Sequence, residues 1–142
     1  MRSGIVAATA TAGVLIGLGL AHGAALRPLN SIAHILIGSR AYYMESGDWR
    51  VTPTAIVTHV ISVAIWGIML AFVTPRFRGA RLYAVALAFA GFTWFFDYRL
   101  VPDRLRPGFE SGLSTAEVAI VYIVLALALA WGLDRERQGD RG

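Results

Sequence analysis

Three histidines, one carboxylate inside an apolar run and a stiff arginine-rich stretch are the residues of this chain with chemistry to offer. In "THVISVAIW", His59, Ser62 and Trp66 recur at helical spacing, so one helix face carries a polar track through an apolar segment. An imidazole there can exchange a proton near neutral pH or, when neutral, ligate a metal. In "FFDYRLVPDRLRPGFE", a long apolar run ends on Asp97 and Tyr98, followed by Arg99, Arg104, Arg106, Asp103, Glu110 and two prolines. A carboxylate inside a membrane span is costly unless paired or functional. Trp94 and Asp97 are expected on one face of the helix carrying them. Asn30 and His34, four apart, share a face of a shorter helix. His22 stands alone near the end of an apolar run.

Four chemistries are compatible with this set. His59, His34 or His22 with Asp97 could hold a metal ion, although HxxxH or ExxH spacing is absent. His22 and His59, on neighbouring spans, could be axial ligands of a haem. His59 and Asp97 could handle protons or a small solute. The polar residues could also simply dock a protein partner. Each has a plainer reading as well. His59 could make an interhelical hydrogen bond, and Glu117 closes a capping box with Ser114. Glu110, Asp103 and the arginines could be an exposed ion-pair network. Serine-nucleophile, phosphate-loop and dinucleotide signatures are absent.

The elements that must position these residues are apolar. The chain has 142 residues, 56% hydrophobic and only 15% charged, against about 25% charged in ordinary soluble domains. Four segments approach the roughly 20 residues a helix needs to cross a bilayer. They run over about 4–26, 54–73, 80–100 and 115–133, with a polar tail at 134–142 that is expected to fray. Pro53, Pro75 and Pro102 mark starts and stops. The fold expected is all-α: one integral membrane domain, a bundle of four transmembrane helices. A short interfacial helix should sit between helices 1 and 2, opened by Pro28 and closed by Gly38. The start also resembles a cleaved signal peptide, but its apolar run is long for one and retention is expected.

This layout brings His22, Asn30, His34, His59, Asp97, Tyr98 and Glu117 to one end. Phe96–Glu110 should form a rigid lid there, with Asp97 paired to an arginine and facing His59 or His34. The other end should hold only arginines and the tail. Arg2, Arg76, Arg78, Arg81, Arg135, Arg137 and Arg141 on one side outnumber Arg27, Arg40, Arg50, Arg99, Arg104 and Arg106 on the other by one. Together with the shortness of the second connection, this favours both termini in the cytoplasm. Thr9, Gly13, Gly17 and Ala21 recur every fourth residue, a small-residue stripe that lets another helix approach closely. It predicts tight packing inside the bundle or a homo-oligomer through Gly13 and Gly17, with Leu15 on another face. Without cysteine, disulfides and thiolate sites are excluded. All 13 basic residues are arginines, but no basic stripe with aromatic platforms points to nucleic acid.

The blocks "LNSIAHILIG", "THVISVAIWG" and "DYRLVPDRLRPGFESGLS" together resemble a group of small four-helix bacterial inner-membrane proteins of unassigned function, some labelled sodium:proline symporter. The resemblance covers about a third of the chain. It implies a multi-pass protein of the bacterial inner membrane and draws attention to residues in these blocks without implying a mechanism. The leading expectation is a membrane protein binding a partner, ion or small ligand at its polar end. Its site would come from Asn30, His34, His59, Ser62, Trp94, Asp97, Tyr98, Arg104, Arg106 and Glu110. A metal- or haem-binding redox protein or enzyme is the alternative. The lipid bilayer, a second copy or a larger membrane partner are the expected neighbours.

Overall fold

The computed structural model describes residues 2–139, so the expectations for Met1 and for positions 140–142 lie outside the described residues. Among those described, all regular structure is helical. Four helices are long and apolar enough to cross a membrane, the make-up of a multi-pass membrane protein. In order they are α1 (Arg2–Ala21), α4 (Val51–Val73), α5 (Gly79–Phe95) and α6 (Thr115–Gly139). Two short helices, α2 (Arg27–Ser31) and α3 (His34–Ile37), lie between the first two.

Their order in space differs from their order in sequence. α6 packs most extensively on α1 and next on α5, while α1 also packs on α4. Large apolar side chains point outwards along the spans, as lipid requires: Ile61, Ile65, Ile68 and Phe72 of α4 are all exposed, Phe72 at 85%. The inward face of α1 carries Ala7, Ala8, Thr11 and Leu15, all nearly fully buried.

That face corrects the half of the small-residue expectation that put the stripe inside the bundle. Thr9, Gly13, Gly17 and Ala21 lie on the opposite, exposed side of α1. A methyl group added at Gly13 or Gly17 would meet nothing within 4 Å. Leu15, expected away from the packing face, is at its centre with no exposure. The close approach occurs elsewhere: a Cβ on Gly132 of α6 would stand 2.5 Å from Ser3 Cα, so α1 and α6 touch backbone to backbone there.

Two helix ends differ from the sequence reading for local reasons. α1 stops at Ala21 rather than Leu26, because Gly23 turns to a φ of 75° and the Ala24 amide bonds back to Gly19 O at 2.8 Å. The single short helix expected from Pro28 to Gly38 is broken in two. Ser31 Oγ donates to Pro28 O and His34 Nδ1 to Ser31 O, so side chains take carbonyls a continuous helix would use. Nearly every residue from Pro28 to His34 is buried, so the segment is tucked into the protein.

The 134–139 part of the tail is the last turn and a half of α6. It is held at the end where the chain begins. Ser3 N donates to Glu136 Oε1 at 2.9 Å, and Arg137 donates to Phe77 O at 2.6 Å and to Thr74 Oγ1 at 3.4 Å. Fraying is therefore replaced by a closure joining α1, the α4–α5 turn and α6.

Candidate functional site

α5 does not end as an α-helix. From Phe96 to Leu100 it widens into one π-turn, closed by the Val101 amide on Phe96 O at 3.1 Å. Pro102 then keeps Val101 extended and ends the helix. Trp94 packs with Tyr98, ring centroids 5.9 Å apart, whereas Asp97 lines a cavity between the helices that is partly open to the surface and that Trp94 does not line. The two side chains, expected on one face, thus meet different neighbours. π-turns recur at functional sites.

The cavity has a volume of about 100 Å³. Polar side chains reach it from all four long helices: Thr11 of α1, His59 and Ser62 of α4, Asp97 at the end of α5, and Tyr122 of α6. Trp66 and Phe109 supply aromatic wall, and Leu105 and Pro107 close it from the connection before α6. The α4 stripe of His59, Ser62 and Trp66 thus opens on one space.

Hydrogen bonding defines what these groups can offer. Thr11 Oγ1 donates to Ala7 O at 2.7 Å. His59 Nε2 stands 2.9 Å from Thr11 Oγ1 and 3.1 Å from Ala8 O. A carbonyl can only accept, and the threonine proton is already directed to Ala7, so Nε2 carries the imidazole hydrogen. In the neutral ring this leaves Nδ1 with a lone pair and no partner among the described residues. Tyr122 Oη donates to Asp97 Oδ2 at 2.6 Å, leaving Oδ1 without one.

The arginine partner expected for Asp97 is absent among the described residues: its partner is the tyrosine. Arg106 instead pairs with Asp103, Nη2 to Oδ1 at 2.8 Å, while Arg99 and Arg104 are exposed and outside any ion pair among the described residues. Glu110 accepts from Tyr98 Oη at 3.2 Å, so the expected loop network reduces to one ion pair and one tyrosine–glutamate bond. Arginine in this connection was a natural guess from proximity in sequence. Tyr122 and Thr11 were missed because an aromatic and a lone threonine in apolar helices carry no distinguishing pattern.

The remaining candidates are used elsewhere. Asn30 is wholly buried, and its amide donates to Met44 O and Ser46 O at 3.0 Å each while accepting from Thr52 Oγ1 at 2.9 Å. It fastens the loop before α4. His34 stacks on Tyr42 with centroids 4.7 Å apart, and its buried Nε2 has no partner among the described residues. Burial, with the charges of Glu110 and Asp103, pushes the Tyr42 hydroxyl above its usual 10.0. Gly108, at a φ of 93°, passes so close that a Cβ would stand 2.6 Å from both His34 Nδ1 and Ser31 O. That contact seats the connection on the α2–α3 segment.

His22 is half exposed and bonds Glu117 Oε1 at 2.6 Å. The other Glu117 oxygen accepts from Ser114 N and Oγ, and the Glu117 amide bonds Ser114 Oγ: the capping box forms as expected and also binds α1. His22 and His59 line different cavities, so they do not frame a common haem site. Among the described residues no three His, Asp or Glu side chains gather closely enough to hold a metal ion.

Compared with known proteins, the chain matches no family model, no curated sequence and no solved structure.

Proposed function

We propose that this chain is a small integral membrane protein that binds a small ligand in the cavity between its spans. The observation that carries it is the convergence of Thr11, His59, Ser62, Asp97 and Tyr122 from four helices on one space. Polar groups at such depth are expensive to retain unless they are satisfied or used, and here several keep open acceptor positions. The four spans form a bundle in the bacterial inner membrane, in keeping with the small proteins its sequence blocks resemble. Both termini face the cytoplasm, and the tucked α2–α3 segment lies at the outer interface beside the lid. Arg104 and Arg106 do not line the cavity and fall outside the ligand shell. A metal or haem reading is disfavoured by the separation of the histidines.

A chain without cysteine makes the test clean. In intact cells, the thiol of a Ser62→Cys variant should react with a small methanethiosulfonate supplied outside. The thiol of Ile68→Cys, on the lipid-facing side of the same helix, should not, because the reactive thiolate needs water. Reaction at Ser62→Cys no faster than at Ile68→Cys, or only from the cytoplasmic side, would overturn the reading or its orientation respectively.

A further inference from the structure

The open positions around the cavity are mostly acceptors. Asp97 Oδ1, His59 Nδ1 and Ser62 Oγ have no hydrogen-bond partner among the described residues, and all three can accept. Three of the hydrogens that could have been offered inwards are directed elsewhere: His59 Nε2–H to Ala8 O and Thr11, Thr11 Oγ1–H to Ala7 O, and Tyr122 Oη–H to Asp97, which leaves the Ser62 hydroxyl and the Trp66 indole N–H as donors on the wall. None of the 13 arginines lines the space. The Asp97 carboxylate and His59 Nδ1 can only accept, so an occupant bonded to both must bring hydrogens to donate, and an anion would meet a carboxylate with no cation to offset it.

We propose that the cavity selects a small primary ammonium ion. Its three N–H groups match Asp97 Oδ1, His59 Nδ1 and Ser62 Oγ, and its short carbon chain lies against Trp66, Phe109 and Tyr122. A carboxylate bonded to an ammonium makes the strong, charge-assisted kind of hydrogen bond. Aromatic walls add attraction for a cation that has left water. The volume, about 100 Å³, is below the roughly 150 Å³ of a cavity that takes benzene, so it suits a ligand of a few heavy atoms. This assignment rests on the ligand-cavity reading above and specifies its chemistry.

The test uses the full chain in lipid nanodiscs with ¹⁵N-labelled histidine, which gives imidazole signals from only three residues. Signals of His59 are assigned by their loss in His59→Gln. At fixed pH, ethylammonium should shift the His59 signals saturably and leave His22 and His34 in place. Ethanol and acetate, similar in size, should bind about tenfold more weakly or less, as expected for losing one charge-assisted bond. Asp97→Asn still accepts from Tyr122, so it should fold normally yet lose the preference for ethylammonium over ethanol. Ethanol or acetate binding as well as ethylammonium, or a preference that survives Asp97→Asn, overturns the assignment. If the Ser62→Cys thiol is reactive while none of the three probes moves His59, the ammonium assignment alone fails. An inert Ser62→Cys thiol removes the cavity reading with it.

Discussion

The two ends of the molecule treat polar groups in opposite ways. Where the chain begins and α6 finishes, donors and acceptors close on one another. Arg137 reaches Phe77 O and Thr74, Arg78 reaches Arg137 O at 2.7 Å, and the Gly79 amide at the start of α5 meets Asp134 Oδ1 at 3.2 Å. At the other end, saturation and openness sit side by side. Asn30 uses both amide hydrogens and its oxygen, while Asp97, Ser62 and His59 each keep an acceptor free. The difference separates fastening from binding. A buried polar residue whose capacity is used up holds the fold, and one whose capacity is left over can meet a ligand.

The largest test of that division compares Asn30 with Asp97. Asn30→Ala strands Met44 O, Ser46 O and the Thr52 hydroxyl, and should cost about 2–3 kcal/mol of stability in detergent unfolding. Asp97→Asn preserves the tyrosine bond and should cost less than about 1 kcal/mol. Equal losses would mean that Asp97 is as structural as Asn30.

Next comes the contrast between glycines. Gly132→Ala drives a methyl into the Ser3 backbone and should destabilise by about 1–3 kcal/mol, as overpacking does. Gly13→Ala meets open space and should stay within about 0.5 kcal/mol. If thermal unfolding ranks them the other way, the α1–α6 contact is not the one described.

The four spans were legible in the sequence because about 20 apolar residues in a row leave few alternatives. The capping box at Ser114 and the stripe from His59 to Trp66 were legible because their spacing fixes a shared turn or face. What periodicity cannot supply is the identity of the neighbour. The small residues of α1 recur at the right spacing, yet Ala7, Ala8, Thr11 and Leu15 make the buried face. In an apolar helix both sides look alike to a pattern, and only the partner chooses. The π-turn at Phe96 was equally hidden, and so was the partner of Asp97, which is Tyr122 from a distant part of the sequence rather than a nearby arginine.

The smallest effect concerns Asp48, before α4. Its Oδ1 accepts from Arg50 N and Val51 N, which hold its carboxyl below the ordinary 3.8. A carboxyl lowered by folding stabilises fully above its unfolded value and loses that contribution as pH falls through the folded one. Wild-type protein should therefore lose a small increment of stability as pH drops below about 3.8, and Asp48→Asn should lack that increment. An identical acid profile in both would show that the Asp48 carboxylate does not hold the start of α4.

The pairing of α1 with α6 has a consequence for biogenesis. Ribosomes deliver the chain from the N-terminus at roughly 5–20 residues per second, so the first span enters the bilayer well before the last is made. Until α6 arrives, Ser3 lacks Glu136, His22 lacks Glu117, and the inward face of α1 has only α4 and the α2 segment against it. Of these four helices the first to be inserted is the last to be completed, and a chain stopped before Thr115 would offer an unfinished surface to membrane quality control.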